Sequence, residues 1–162
     1  MTPKVTFIAD AMLGSLARWL RLLGYDTLYC ETQSDDEILE RIHNRILLTR
    51  DKELIVRAKQ LRYRVLNPGS GSVGSMLQQL QQELEIPFVA DPDLSRCAKC
   101  NSPLQKCERH KVQNIVPEGS LRKHQSFWQC TNNECQKVYW QGRHWTRIKN
   151  TLNQIDLKKT SD

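Results

Sequence analysis

No apolar run in this sequence approaches the ~20 residues that cross a bilayer, so no spanning helix is expected. The N-terminus reads as a poor signal peptide, so no export is expected: Asp10 and Arg18 interrupt what would be its apolar stretch. There is no internal repeat. Hydrophobic residues make up 39% and charged residues 26%, a balance that allows a packed core and argues against wholesale disorder. Two acidic patterns are missing as well. A haloacid-dehalogenase-type phosphatase carries a second aspartate two residues after the first, where this chain has Met12. A phospho-receiver domain carries paired acids beside its first strand, and here Asp10 stands alone. Both classes are disfavoured.

What is present divides the chain. Its 162 residues suit one medium domain or two small ones. Residues 1–91 hold 11 basic and 12 acidic side chains, a balance of −1, whereas residues 92–162 hold 13 and 6, a balance of +7. A basic part beside an acid-bearing part fits an enzyme that holds a polyanion, although a solvated surface has the same look. Five of the six cysteines lie in the second part, four of them as two close pairs. Without an export signal, clustered cysteines read as metal ligands in a reducing, cytoplasmic setting.

Along the chain, residues 4–9 read as a short buried strand ending at Asp10. Residues 12–23 place Met12, Leu13, Leu16, Ala17, Leu20 and Leu23 at helical spacing, with Gly24 as the stop. Further strands are expected at 27–30, 45–48 and 63–66. Between them, Ser34 and Glu37 form a capping box that opens a helix to about residue 43, and Thr49-Arg50-Asp51 opens another to about residue 60. A polar helix follows at 73–85. Strands alternating with helices predict an α/β fold with a parallel sheet, covering residues 1–90. Beyond Asp91-Pro92-Asp93 the texture changes, and residues 91–162 read as a small metal-stapled module with a terminal helix at 145–157 and a frayed tail at 158–162.

In a parallel sheet, ligands gather at the carboxyl ends of the strands. Asp10 follows the first strand, Asp51 the third, and Asp35 and Asp36 open the helix after the second, so all four are expected at one edge. Carboxylates crowded there repel unless a cation lies between them, and Mg²⁺ or Mn²⁺ prefers such oxygen ligands. A metal-activated water could then cut a phosphodiester. Singly, each acid has an ordinary alternative: Asp35, Asp36 and Asp51 can cap helices, and Glu37 is a capping-box partner. Asp10 shows no obvious capping role in the sequence.

Cys97-x-x-Cys100 and Cys130-x₄-Cys135 are two knuckle-like pairs, and four thiolates so spaced suit a tetrahedral structural Zn²⁺ site, with rubredoxin-like iron the minor alternative. Cys107, His110, His124 and His144 are spare to that set, and Cys30 reads as a small buried hydrophobe. Around the cysteines, aromatics including Phe127, Trp128, Tyr139, Trp140 and Trp145 alternate with Lys137, Arg143 and other cations. Aromatic faces stack on unpaired bases while cations neutralise phosphates, which suits single-stranded RNA. The same residues could instead cover and solvate a thin core. On the first helix, Arg18 and Arg21 form a polar stripe that either grips phosphate or faces solvent.

The stretch Phe-Ile-Ala-Asp-Ala-Met-Leu-Gly-Ser-Leu-Ala-Arg-Trp-Leu-Arg-Leu-Leu-Gly-Tyr-Asp at 7–26 is distinctive. Together with Ser34–Leu39, Leu47–Asp51 and the cysteine pairs running into Tyr139-Trp140-Gln141-Gly142-Arg143-His144-Trp145, it resembles the Mut-seven C-terminal ribonuclease family. The resemblance implies a PIN-like nuclease domain joined to a zinc ribbon, acting as a divalent-metal ribonuclease. It implies that Asp10, Asp51 and the Asp35/Asp36 pair hold Mg²⁺ or Mn²⁺ and that the four paired cysteines hold Zn²⁺; on the reading of the basic and aromatic residues, the ribbon, with Lys137, Trp140, Arg143, His144 and Trp145, positions RNA. The alternatives are a non-catalytic RNA- or ribosome-binding adaptor and a zinc-stapled protein-interaction module; an antitoxin-like partner is a further expectation that the residues do not specify.

Overall fold

Alternate residues of a strand point to opposite faces of a sheet. The runs Phe7-Ile8-Ala9 and Ile46-Leu47-Leu48 are apolar at every position, so the sheet they build must be covered on both faces. The computed structural model describes residues 5–160 and shows this arrangement. In chain order come β1 (Phe7–Ala9), a 3-10 turn (Ala11–Leu13), α1 (Gly14–Leu22), β2 (Thr27–Tyr29), α2 (Asp35–Arg41), β3 (Ile46–Leu48), α3 (Lys52–Gln60), β4 (Val65–Leu66) and α4 (Val73–Leu84). They are followed by β5 (Leu104–Cys107), α5 (Arg109–Val112), α6 (Glu118–Lys123), β6 (Phe127–Cys130), β7 (Val138–Tyr139) and α7 (Arg143–Lys159).

The first four strands form a parallel sheet in the order β2-β1-β3-β4, with Phe7 opposite Ile46 and Ala9 opposite Leu48. Phe7, Ala9, Ile46 and Leu48 enter a core with α1, α4 and α7. Ile8 and Leu47 face the other way, into a core with Ile38, Leu39 and Ile42 beside α2 and with Leu54 and Ala58 of α3. The expected capping box is present: Ser34 accepts from the Glu37 amide, and Glu37 accepts from the Ser34 amide at 2.7 Å. Gly24 ends α1 with φ +91°, and a Cβ there would lie 2.8 Å from the Leu94 carbonyl oxygen. A second sheet, β5-β6-β7, is antiparallel and packs Val112, Val116, Phe127 and Val138 into a small cluster.

The strands are shorter than the sequence suggests. Lys4, placed in the first strand, lies outside the described residues, as do Ser161 and Asp162 of the tail. Lys158 and Lys159, expected to fray, belong to α7, which also starts two residues earlier than expected. The larger difference is where α7 packs. Trp145, Ile148, Leu152 and Ile155 recur at helical spacing and are buried in the core that contains α1 and α4. The last helix therefore completes the first sheet's covering layer rather than a core of its own.

Buried polar groups also bind the two parts together. The Arg21 guanidinium donates from Nε to the Thr27 carbonyl at 2.8 Å, and from NH1 to the carbonyls of Ala98 at 2.9 Å and Lys99 at 3.3 Å. Arg21 is only 7% exposed. This corrects both readings of Arg21 from sequence: the side chain is buried, with Nε and NH1 donating to backbone carbonyls, so it neither grips phosphate nor faces solvent. Arg21→Ala strands the buried Thr27 carbonyl and frees the part-buried carbonyls of Ala98 and Lys99, and is expected to cost about 2–3 kcal/mol in urea unfolding. Arg21→Lys should recover little, because an ammonium cannot reproduce the planar fork.

Asp26 and Asn101 form a second link. Asp26 takes Arg45 through both carboxylate oxygens, at 2.8 and 3.1 Å, and accepts from Asn101 Nδ2 at 2.7 Å. Asn101 Oδ1 in turn accepts from the Thr27 amide at 3.0 Å. Burial acts to raise the Asp26 pKa, but the hydrogen bonds and charge of Arg45, aided by Asn101, hold it below the usual 3.8. The folded state thus prefers the ionised form. The resulting stability is present above pH 3.8 and is lost as pH falls through the lower folded value. Asp26→Asn should flatten this acid limb in urea titrations run from about pH 5 down to about pH 2 and cost about 1.5–3 kcal/mol at neutral pH.

Candidate active site and metal centre

The chain passes from β1 to β2 on one side and returns to β3 on the other, so the crevice at the carboxyl ends of β1 and β3 is the sheet's switch point. Asp10 ends β1 there and Asp51 lies just beyond β3. The Asp10 amide donates to Leu48 O at 3.2 Å, which ties the two strand ends together. Asp10 does have a capping role, contrary to the sequence reading: Oδ1 accepts from the Met12 amide at 3.2 Å and opens the 3-10 turn. Its Oδ2 accepts from the Thr49 hydroxyl. Thr49 Oγ1 accepts from the Asp51 amide at 3.0 Å, and Asp51 Oδ1 caps α3 by accepting from Glu53 and Leu54 at 2.8 and 3.1 Å. Thr49, fully buried, is the positioning residue that sequence reasoning missed.

Asp10 is 6% exposed, and this burial raises its pKa above 3.8. Hydrogen bonds from Thr49 and Met12 and the charge of Arg50 act downward, and the neighbouring Asp51 acts upward. Asp35 and Asp36 sit in the first turn of α2 and face Arg57 of α3: Asp35 lies 3.7 Å from it, and Asp36 forms an ion pair with it. A side-chain cation therefore meets the pair that the sequence suggested would need a metal. Among the described residues, the only set of three or more acids, cysteines or histidines gathered within reach of one ion is the cysteine set.

That set is Cys97, Cys100, Cys130 and Cys135, whose sulfurs all lie within 4.8 Å of one another. Cys100 and Cys130 are 3.3 Å apart, and Cys97 and Cys135 3.7 Å. Tetrahedral ligation at a Zn–S distance of ~2.3 Å corresponds to sulfurs about 3.8 Å apart, so the four-thiol set fits a metal such as zinc. Around it, the Ala98 amide donates to the Tyr139 hydroxyl at 3.0 Å, leaving that hydroxyl to donate to Cys97 Sγ at 3.2 Å. The Asn132 amide donates to Cys130 Sγ at 3.4 Å. The Arg21 charge also acts on Cys97 and Cys100. Four thiolates and Zn²⁺ carry −2 together, and a buried guanidinium beside them offsets part of it. Cys107 packs elsewhere, and His110 is exposed beside Glu108.

A family model described as the Mut7-C RNAse domain matches residues 5–152. The chain belongs to the Mut7-C RNAse domain family. No curated protein matches it. The family points to a ribonuclease-type function, and hence to RNA as the molecule bound. No helix among the described residues is long and apolar enough to cross a membrane.

In this Mut7-C chain the basic and aromatic side chains cluster where β6 and β7 meet the start of α7. Arg18 is exposed and lines a cleft of about 220 Å³ with Ser15, Lys137 and His144. His144 stands edge-on to Trp19, with ring centroids 6.4 Å apart. Partial burial, with Arg147 and Lys137 nearby, lowers its pKa, so it is neutral at pH 7. Arg143 is exposed, and Trp140 is half-buried against Phe127. Trp145, expected as a stacking surface, is 8% exposed and belongs to the core. Its ring is thus unavailable as an open platform.

Proposed function

We propose that this Mut7-C chain is a divalent-metal-dependent endoribonuclease whose acids lie at the switch point of the parallel sheet. The observation that carries the reading is Asp10: a buried carboxylate at the end of a central strand, with Asp51 beside it and Thr49 bonded to both residues. Burying a carboxylate is costly unless it is neutralised or has a partner. The surrounding hydrogen bonds fix its direction, while two adjacent acids give the donor set that a hard cation prefers.

In this reading Asp10 and Asp51 hold Mg²⁺ or Mn²⁺, with Asp35 and Asp36 on the same edge and Arg57 restraining them. When bound, such an ion activates water and offsets charge on the scissile phosphate. Thr49 keeps Asp10 in one rotamer, and the α3 amides do the same for Asp51. Arg50, beside Asp10, adds a cation near the site where phosphate would lie. The four cysteines hold a structural Zn²⁺, with every ligand position taken by sulfur and none open for chemistry. Lys137 and Arg143 of the basic part, with Arg18 of the first part and the neutral His144 beside them, position single-stranded RNA. In the same reading the parallel sheet and its helices form a PIN-like domain and the four-cysteine module a zinc ribbon; the parallel sheet order and the cysteine cluster support it.

The test is a cleavage assay on mixed single-stranded RNA with Mg²⁺ or Mn²⁺, run beside a chelator control. Internal cuts that need the divalent ion support the reading. RNA binding with steep salt dependence and no product with either ion would replace it with the adaptor reading, which the +7 balance of residues 92–162 favours.

A further inference from the structure

A buried guanidinium needs a counter-charge as well as hydrogen-bond acceptors. Arg21 has the acceptors, the carbonyls of Thr27, Ala98 and Lys99, but these are neutral. Among the described residues no aspartate or glutamate forms an ion pair with it. Asp26, the acid closest to it along the chain, is taken by Arg45. Burial lowers the Arg21 pKa, and the groups whose charges oppose that shift are Cys97, Cys100 and Tyr139. Two of these three belong to the four-cysteine set.

The backbone geometry leads to the same place. Ala98 and Lys99, which take the guanidinium, are the two residues between Cys97 and Cys100. The Arg21 carbonyl also accepts from the Arg96 amide at 2.8 Å, so one residue of α1 holds the chain on both sides of Cys97. Tyr139 approaches that cysteine from β7. Its hydroxyl accepts from the Ala98 amide at 3.0 Å, which leaves the hydroxyl proton for Cys97 Sγ at 3.2 Å. A divalent ion on four thiolates leaves two net negative charges. Cations and hydrogen-bond donors around such a centre stabilise it and orient its ligands.

We propose that the zinc-loaded four-thiolate centre is the counter-ion of Arg21, and that Arg21 and Tyr139 are positioning residues that set how tightly the centre holds its metal. The affinity of the cysteine module for zinc is then decided partly by a helix of the first part, and loss of the metal leaves a buried cation unpaired where the two parts meet. This role rests on the zinc reading of the cysteines and uses neither the acids nor RNA.

The experiment follows zinc transfer from the full zinc-loaded chain to a chromophoric chelator. In parallel, the sulfur-to-metal charge-transfer band of the cobalt-substituted chain is recorded. Arg21→Gln should weaken zinc about tenfold or more and move the band to longer wavelength, because thiolates without a cation beside them give up electron density more readily. Arg21→Lys keeps the charge and loses the fork. It should hold zinc several-fold tighter than Arg21→Gln and keep the band near its original position, although its stability in urea recovers little. Equal zinc affinity in the Lys and Gln variants, with the band unmoved in both, is the result of a residue that only braces the fold, and it overturns the counter-ion role. Tyr139→Phe keeps the ring and removes the donor; it should weaken zinc about tenfold and shift the band the same way, and it serves if the Arg21 variants do not fold. Unchanged affinity and an unmoved band in Tyr139→Phe overturn the positioning role. An unaltered chain that retains no zinc and gives no thiolate–cobalt band removes the zinc reading itself, and the proposal with it. A normal band in the unaltered chain, with variants that do not respond, removes the proposal alone.

Discussion

Asp10→Asn is expected to lower metal-dependent RNA cleavage about 100-fold or more without unfolding the protein. The ion's share of phosphodiester hydrolysis is several kcal/mol, and each 1.36 kcal/mol is a factor of ten in rate. The local structure should survive the change. An asparagine can accept the Met12 amide through Oδ1 and donate through Nδ2 to Thr49 Oγ1, which still accepts from the Asp51 amide. Asp51→Asn should behave alike, because asparagine caps helices as well as aspartate.

Stability separates lost charge from lost fold. The Asp10 pKa is raised by burial, so the folded state holds that proton more tightly than the unfolded chain. Stability from this group is full at low pH and declines as pH rises through the folded value. At pH 7 without divalent ion, the ionised carboxylate is a cost that asparagine removes. The thermal midpoint of Asp10→Asn should therefore equal or exceed that of the unaltered chain. Undiminished cleavage in both variants would sink the assignment of the acids.

The second large effect concerns the cysteines. Removing the metal, or making Cys97→Ser or Cys130→Ser, should unfold residues around the four sulfurs and lower the melting temperature of the whole chain in one transition. Structural zinc contributes an apparent ~10–16 kcal/mol in small modules, comparable with or above the ~5–15 kcal/mol net stability of a whole domain. The loss spreads because the knuckle carbonyls of Ala98 and Lys99 hold Arg21, and Asn101 holds Asp26 and Thr27. Cys107→Ser, outside the set, should keep one zinc per chain by elemental analysis. A chain that keeps its melting temperature after its metal is removed would refute this coupling.

Much of the architecture was legible because it rests on local chemistry. The Leu16, Ala17, Leu20 stripe, the Ser34 box and the apolar runs at β1 and β3 each specify an element without help from distant residues. Such signals place Asp10 and Asp51 at one sheet edge. They do not reveal that Asp36 meets Arg57 from the next helix, nor that Thr49 bridges the two acids, since those pairings depend on how elements dock. Arg21 illustrates the same limit. A polar residue on an apolar helix reads as solvent-facing until carbonyls some 77 residues away are seen to cover it. Likewise Trp145 has the spacing of a core residue, but the sequence does not name the core. The strands β5–β7 were the least legible, because in β5 Leu104 and Cys107 are half-buried while Gln105 and Lys106 between them are exposed, which gives no alternation.

Helix α7 has a consequence for how the protein is made. Its apolar face belongs to the core that also holds β1 and α1, which are made well before it. At roughly 5–20 residues per second, the interval between the end of α4 and the synthesis of α7 is about 4–15 s. Throughout it the sheet's α1/α4 side lacks one of its three covering helices, and the bonds from Arg21 to Ala98 and Lys99 form only after those two residues are made. A chain cut short before α7 would expose an apolar surface that chaperones and proteases recognise. Completion of α7 thus ties the covering of the α1/α4 side of the sheet to the synthesis of residues 143–159.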